Sequence, residues 1–197
     1  MSTVAVAFIS ASDPRSRSTA TEGVDALLAS AEPTIRPAHS SEVEAIHLLV
    51  SEHVAEGHLL PRSRDDIARR VHRFLVAVHG DRIVACADLA PLSRKVAEVR
   101  SLVVADDARS HGICRRMVQE LERRALRAGF ETLCAFTHAP GYFVRMGFSI
   151  VPHVWLPEKI EADCRSCAQF RQCGQYAVML PLVHAHSARQ DAQSAHA

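Results

Sequence analysis

Residues 96–116 read VAEVRSLVVADDARSHGICRR: an apolar run, VRSLVV at 99–104, then a polar turn, a lone glycine at Gly112, and a helical pattern from Ile113. A strand feeding a helix through a polar turn is an anion site in principle. The helix's first N–H groups have no partners within the helix, and its macrodipole is positive at that end. Arg109 adds a charge, and Gly112 lets backbone come close to a phosphate. On these grounds alone, a phosphate cradle and an ordinary basic turn explain the stretch equally well.

The surrounding chain alternates strand and helix patterns. TIRPA (34–38) reads as a short strand. The next segment, 40–54, carries Val43, Ile46, Val50 and Val54 at helical spacing, with Ser41 and Glu44 as a capping box. Ser63 opens a second helix, RDDIARRVHRF. FLVAVH, the turn Gly80-Asp81 and RIVACADL form a hairpin, and VAEVRSLVV a third strand of that group. From Ile113 to about Ala128, one stripe of Ile113, Met117, Leu121 and Ala125 predicts a helix that Gly129 stops. TLCAF is a strand, PGYFVRM a short helix, and GFSIV and QYAVMLPL are strands. The expected order is β–α–α–β–β–β–α–β–α–β–β.

The 197 residues suffice for one ordinary domain. Residues 1–32 and 184–197 are polar or small and read as a flexible leader and tail around a folded unit at 33–183. With 23 basic and 22 acidic residues, the charge balance gives no general argument for nucleic acid or an acidic membrane. No apolar stretch approaches the ~20 residues of a spanning helix, and the N-terminus makes a poor signal peptide, so a cytoplasmic setting is expected. Cys86, Cys114 and Cys134 sit singly among apolar residues. Cys164, Cys167 and Cys173 cluster, and a reduced structural cluster is expected there. Zinc, with His153 or Asp163 as a fourth ligand, and a redox-sensitive disulfide are the alternatives; the spacing is not a usual zinc pattern, and no metal is expected.

Residues 34–182 resemble the GNAT superfamily of acetyl-CoA-dependent N-acetyltransferases, in which an Arg/Gln-x-x-Gly-x-Gly/Ala turn after the fourth strand binds the coenzyme A pyrophosphate. Here that turn is Arg109-Ser110-His111-Gly112-Ile113-Cys114. Cys114 departs from Gly or Ala; its thiol methylene is small enough to be tolerated there, with crowding of the phosphate and weaker affinity as the alternative. YFVRMGF matches the family's second signature. A narrower resemblance, to the short N-acetylglutamate synthases, rests on GHLLPRS, VACADL, EVRSLVV, PGYFVRMGF and WLPEKIEADCRSCAQFRQCGQYAVML, which run in that family's order. The resemblance implies an α/β GNAT fold, a mixed but mostly antiparallel sheet with helices on both faces. It also implies acetyl-CoA as co-substrate and L-glutamate as acceptor, in an early step of arginine biosynthesis. Another amine acceptor, or a coenzyme A-binding regulator without turnover, are the rival readings. A homodimer is compatible with all of them.

Aminolysis of a thioester needs a group that takes a proton from the attacking ammonium. Strand alternation puts Glu98, Arg100 and Leu102 on one face, and the resemblance assigns the base to Glu98. Backbone amides of Leu102, Val103 and Val104 would pair with the pantetheine arm as an added strand does. Arg62 and Arg100, with Lys159 third, are candidate cations for the acceptor's two carboxylates, because arginine's fork binds carboxylate through two parallel hydrogen bonds. In many family members the proton donor is a tyrosine four residues before the glycine of Gly-Phe. That position is Phe143 here, with Tyr142 beside it. In the synthases a hydroxyl residue ending the fifth strand is implicated, which points to Thr137.

Overall fold

The computed structural model describes residues 32–54, 59, 61–109, 112–167 and 169–182. The expected tail, the leader before Glu32 and the residues Ser110 and His111 lie outside the described residues. In chain order the first half comprises β1 (Thr34–Pro37), α1 (Val43–Val54), α2 (Arg64–Arg70), β2 (Phe74–His79), β3 (Arg82–Pro91) and β4 (Val96–Val104). The second half comprises α3 (Ile113–Arg127), β5 (Thr132–Thr137), α4 (Pro140–Val144), β6 (Ser149–Val151), α5 (Pro157–Ala162) and β7 (Tyr176–Pro181).

The strands form one seven-stranded sheet in the order β1-β2-β3-β4-β5-β7-β6. Only β4 and β5 run parallel; the other neighbouring pairs are antiparallel. Alternation along β2 shows how the sheet is covered. Leu75 and Ala77 join α3's Met117, Leu121 and Ala125 in one core, whereas Phe74 and Val76 join α1's Ile46 and Val50 and α2's Ile67 in another. The predicted α3 stripe is thus the buried one. The helix runs to Arg127, and Gly129, at φ +83°, turns the chain away from it.

Two local expectations are corrected. The capping box before α1 is not Ser41 with Glu44. A 3-10 turn, Ser40–Glu42, precedes the helix, and Glu42 reaches back to accept the His39 N–H at 2.7 Å. Arg36 on β1 holds that carboxylate with bonds of 2.9 and 2.6 Å, which fixes the entry two residues early. Glu44 instead pairs with Arg64 on the surface. By contrast, Ser63 caps α2 as expected, accepting the Asp66 N–H at 3.1 Å. Helix α5, absent from the expected order, brings Lys159 and, just past its end, Asp163 to the site below.

The second correction concerns β4. Its pairing with β3 shifts between Cys86↔Val103 and Asp88↔Arg100, so Ala87 faces two residues, Ser101 and Leu102. Ser101 takes up the extra length at φ +49°, a left-handed conformation that costs a non-glycine residue roughly 1–2 kcal/mol. Alternation therefore resets. Leu102 packs in the same core as Ala97 and Val99, on the face opposite Glu98 and Arg100 rather than with them.

Candidate functional site

The parallel ladder between β4 and β5 covers only Val96↔Thr132 to Val99↔Ala135. Beyond it β5 stays with β7 as far as Thr137↔Tyr176, while β4 stays with β3 as far as Val104↔Ala85. The strands part at the point where the Ser101 bulge begins. Among the described residues Leu102, Val103 and Val104 thus have no strand partner on the β5 side, which leaves backbone groups on that side for an extended ligand. Thr137, at the far lip of the gap, is fully buried, and its hydroxyl oxygen accepts the Ala139 N–H at 3.0 Å.

Below β4 the described residues flank the turn on both sides. Arg109 pairs with Asp106 at 2.7 Å and lies beside the Val104 carbonyl. Gly112 stands immediately before α3 at φ +69°. A Cβ there would meet nothing within 4 Å, so glycine serves the backbone angle rather than a tight contact among the described residues. The Cys114 side chain packs into the core and shares a hydrogen bond with Tyr142, which directs the thiol away from the helix entrance. Burial pushes that thiol up to about 12. Burial and the neighbouring thiol likewise raise the Tyr142 hydroxyl. Ile113 is buried in the same core.

On the other face of β4, Glu98 is fully buried and accepts bonds from Lys159 Nζ at 2.7 and 2.9 Å and from Arg100 Nε at 2.5 Å. Asp163, just after α5, accepts a 2.9 Å bond from Lys159 and another from Arg100. Burial alone would raise the Asp163 carboxyl; Lys159 and Arg100 overcome that and hold it below the usual carboxylate value. Lys159 has no exposed side-chain surface and lies 5.1 Å from the centre of the Phe136 ring. It is the counter-ion of Glu98 and Asp163, stands behind the pocket, and forms no part of its wall.

The pocket itself, about 610 Å³, lies in front of Arg100 and Asp163 and is lined also by Pro61, Arg62, Asp66, Arg69, Arg70, Arg73, Pro91 and Leu92. Arg62 donates from Nη1 to Asp66 at 2.7 Å, while its Nε and Nη2 are buried without a hydrogen-bond partner among the described residues. Sequence reasoning named Arg62 and Arg100 but missed Arg73, Asp66 and Asp88. The available signal was Asp88 itself, a lone charge inside the apolar run VACADL.

The cysteine cluster lies in the same quarter of the molecule. Cys164 and Cys167 are half-buried, Cys173 is exposed, and all three are free thiols. No group of three or more His, Cys, Asp or Glu side chains among the described residues is placed to hold a metal. His153 is engaged by the Gln175 carbonyl at 2.9 Å. No described helix is long and apolar enough to cross a membrane.

A model of the acetyltransferase (GNAT) family matches residues 42–148. The chain belongs to this family. An uncharacterized N-acetyltransferase of Chlorobaculum tepidum is 30% identical over 152 residues, covering 77% of this chain and 98% of that protein. The amino-acid acetyltransferase of Neisseria meningitidis serogroup A is 28% identical over 68% of this chain, which spans only 31% of that longer relative. Among GNAT structures, the N-acetylglutamate synthase of Neisseria gonorrhoeae, complexed with coenzyme A and N-acetyl-glutamate, superposes with a TM-score of 0.71 at 25% identity, covering 78% of this chain and 36% of that one. A Mycobacterium tuberculosis protein in complex with CoA and NLQ gives 0.66 at 26% identity, covering 77% of this chain and all of that one.

Proposed function

We propose that this GNAT protein transfers acetyl from acetyl-CoA to the α-amino group of L-glutamate. The observation that carries the acceptor is charge. Six cations in and behind the pocket wall (Arg62, Arg69, Arg70, Arg73, Arg100 and Lys159) face four carboxylates (Asp66, Asp88, Glu98 and Asp163). The excess of two positive charges suits an acceptor with two carboxylates and repels a polyamine. Arg62 adds donors, since its Nε and Nη2 make no hydrogen bond among the described residues, although Nη2 lies 3.6 Å from the Asp88 carboxylate.

The parted strands and the Gly112 turn fit acetyl-CoA. Backbone groups of Leu102, Val103 and Val104 would hold the pantetheine arm, with Arg109 and the start of α3, from Gly112 to Cys114, at the pyrophosphate; Ser110 and His111 belong to this assignment by the sequence resemblance. When bound, acetyl-CoA supplies the activated acyl group. Glu98 takes the proton from the acceptor's ammonium. Both its oxygens already accept bonds, so the amine reaches it through water or by displacing a donor. Thr137 and Tyr142 are the hydroxyls available to return a proton to the leaving thiolate. Six free thiols suit a reducing, cytoplasmic setting.

The test is thiol release from acetyl-CoA against a panel of amino acids and polyamines, with Arg62→Ala beside the wild type. Glutamate should be the preferred acceptor. Losing a charged hydrogen-bonded partner costs about 1.5–3 kcal/mol, so the variant's glutamate KM should rise by one to two powers of ten, with acetyl-CoA binding unchanged. Faster acetylation of a polyamine would refute the glutamate reading but leave the transferase. No acceleration by any amine would favour a coenzyme A-binding regulator.

A further inference from the structure

Asp88 is a fully buried charge in a strand of apolar neighbours. The β-ladders place it in one row with Phe74 on β2 and Arg100 on β4. Its carboxylate accepts from Arg73 Nε at 3.0 Å and Nη2 at 3.1 Å, and lies 3.6 Å from Arg62 Nη2. This side-on pairing engages two of the three guanidinium nitrogens of Arg73. The third, Nη1, carries no hydrogen bond among the described residues, and Arg73 lines the pocket. A flexible arginine side chain is thereby held in one pose, with part of its donor set left at the pocket wall.

Resting on the acceptor reading above, we propose that Arg73, positioned by Asp88, recognises the acceptor's side-chain carboxylate and so decides glutamate over glutamine. The amine must approach β4, where Glu98 and the strand gap lie. In glutamate the α-carboxylate carbon is two bonds from that nitrogen and stays beside Arg100. The side-chain carboxylate carbon is four bonds away and points across the sheet. Strands lie about 4.8 Å apart, so the backbone at Arg73, adjoining Phe74, stands two strands or roughly 10 Å from β4, and its side chain reaches back toward the acceptor's far end. Arg100 cannot serve both carboxylates, because Glu98 and Asp163 already engage it. Asp88 does not touch the acceptor. It acts through Arg73 as a positioning residue.

The experiment compares glutamate and glutamine kinetics in wild type, Arg73→Gln, Asp88→Asn and the double variant. Arg73→Gln should raise the glutamate KM roughly 10- to 100-fold, with kcat, the glutamine KM and the acetyl-CoA KM unchanged. Arg73→Lys should recover part of the loss. Asp88→Asn should shift the same preference in the same direction and add little once Arg73 is gone, as expected when one residue acts through the other. A glutamate-over-glutamine preference that survives Arg73→Gln overturns the proposal. So does a common rise of all three KM values, which would mark a structural role. Wild-type glutamate turnover is measured first and tests the acceptor reading by itself. Without turnover, calorimetric titration of both amino acids into wild type and Arg73→Gln decides, and a wild type that binds them equally overturns the inference.

Discussion

Replacing Lys159 with methionine removes one charge from the buried side of the site while nearly conserving volume, so cavity formation contributes little. What remains is electrostatic. Lys159 Nζ holds Glu98 at 2.7 and 2.9 Å and Asp163 at 2.9 Å, and neither Lys159 nor Glu98 has exposed side-chain surface. Removing one partner of a buried ionic network typically costs about 3–5 kcal/mol, because the surviving charge is left uncompensated. For a domain of this size that corresponds to a fall in Tm of about 6–20 °C. Urea unfolding monitored by circular dichroism measures it directly. Adding Glu98→Gln should restore part of the loss, since the stranded charge is then removed as well. The pH dependence has a definite sign. Asp163 is held below its unfolded value, so its contribution is present above about pH 4 and is lost as pH falls through the folded value. The gap between wild type and Lys159→Met should therefore narrow in acid. A cost below about 1 kcal/mol at pH 7, well under the range for a broken buried network, would refute the reasoning, because Arg100 alone would then suffice for both carboxylates.

Glu98→Gln should retain acetyl-CoA affinity while lowering turnover by ~10²–10⁴-fold, most severely below neutral pH where the acceptor starts protonated; near-wild-type turnover would remove Glu98 from the mechanism. Gly112→Val forces a β-branched residue to φ +69° and should weaken acetyl-CoA binding in calorimetry without changing glutamate binding. Unchanged cofactor affinity would move the cofactor elsewhere. In thiol labelling of the native protein at pH 8, Cys173 should react readily and Cys164 and Cys167 more slowly. Cys86 and Cys114, whose thiols burial pushes up to about 12, should react only on unfolding.

Where one periodicity governs a segment, the sequence was readable. The α3 stripe, the hairpin of β2 and β3 and the Ser63 cap each express a rule that operates within a few residues, and the fold places them accordingly. Helix α5 was not readable on those terms. It is six residues long, begins at Pro157, and has a lysine as its one buried residue, so no amphipathic pattern marks it. Lys159 ranked only third among the candidate cations for the same reason. Its burial depends on Glu98 and Asp163, one of them 61 positions away in the chain. Arg62 was legible through its motif, whereas Arg73 became distinguishable from its basic neighbours only when β3 brought Asp88 against it.

The face of β4 is where local reasoning failed most usefully. Strict alternation would carry Glu98, Arg100 and Leu102 to one side, putting leucine beside the charged pocket and turning Ser101 toward the α3 core. The inserted residue at Ser101 avoids that conflict. It keeps Glu98 and Arg100 on the face of the sheet that carries the pocket and returns Leu102 to the core. The ladder to β5 also ends at this point, between Val99 and the bulge. One strained residue thus separates a stretch of strand that presents charged side chains on one face from a stretch that offers backbone at its edge. A left-handed serine whose buried hydroxyl has no hydrogen-bond partner among the described residues is unfavourable for folding. Under the proposed function that cost has a counterpart: an amine acceptor on one side of β4 and an extended acyl carrier along its edge would meet only where the strand changes face.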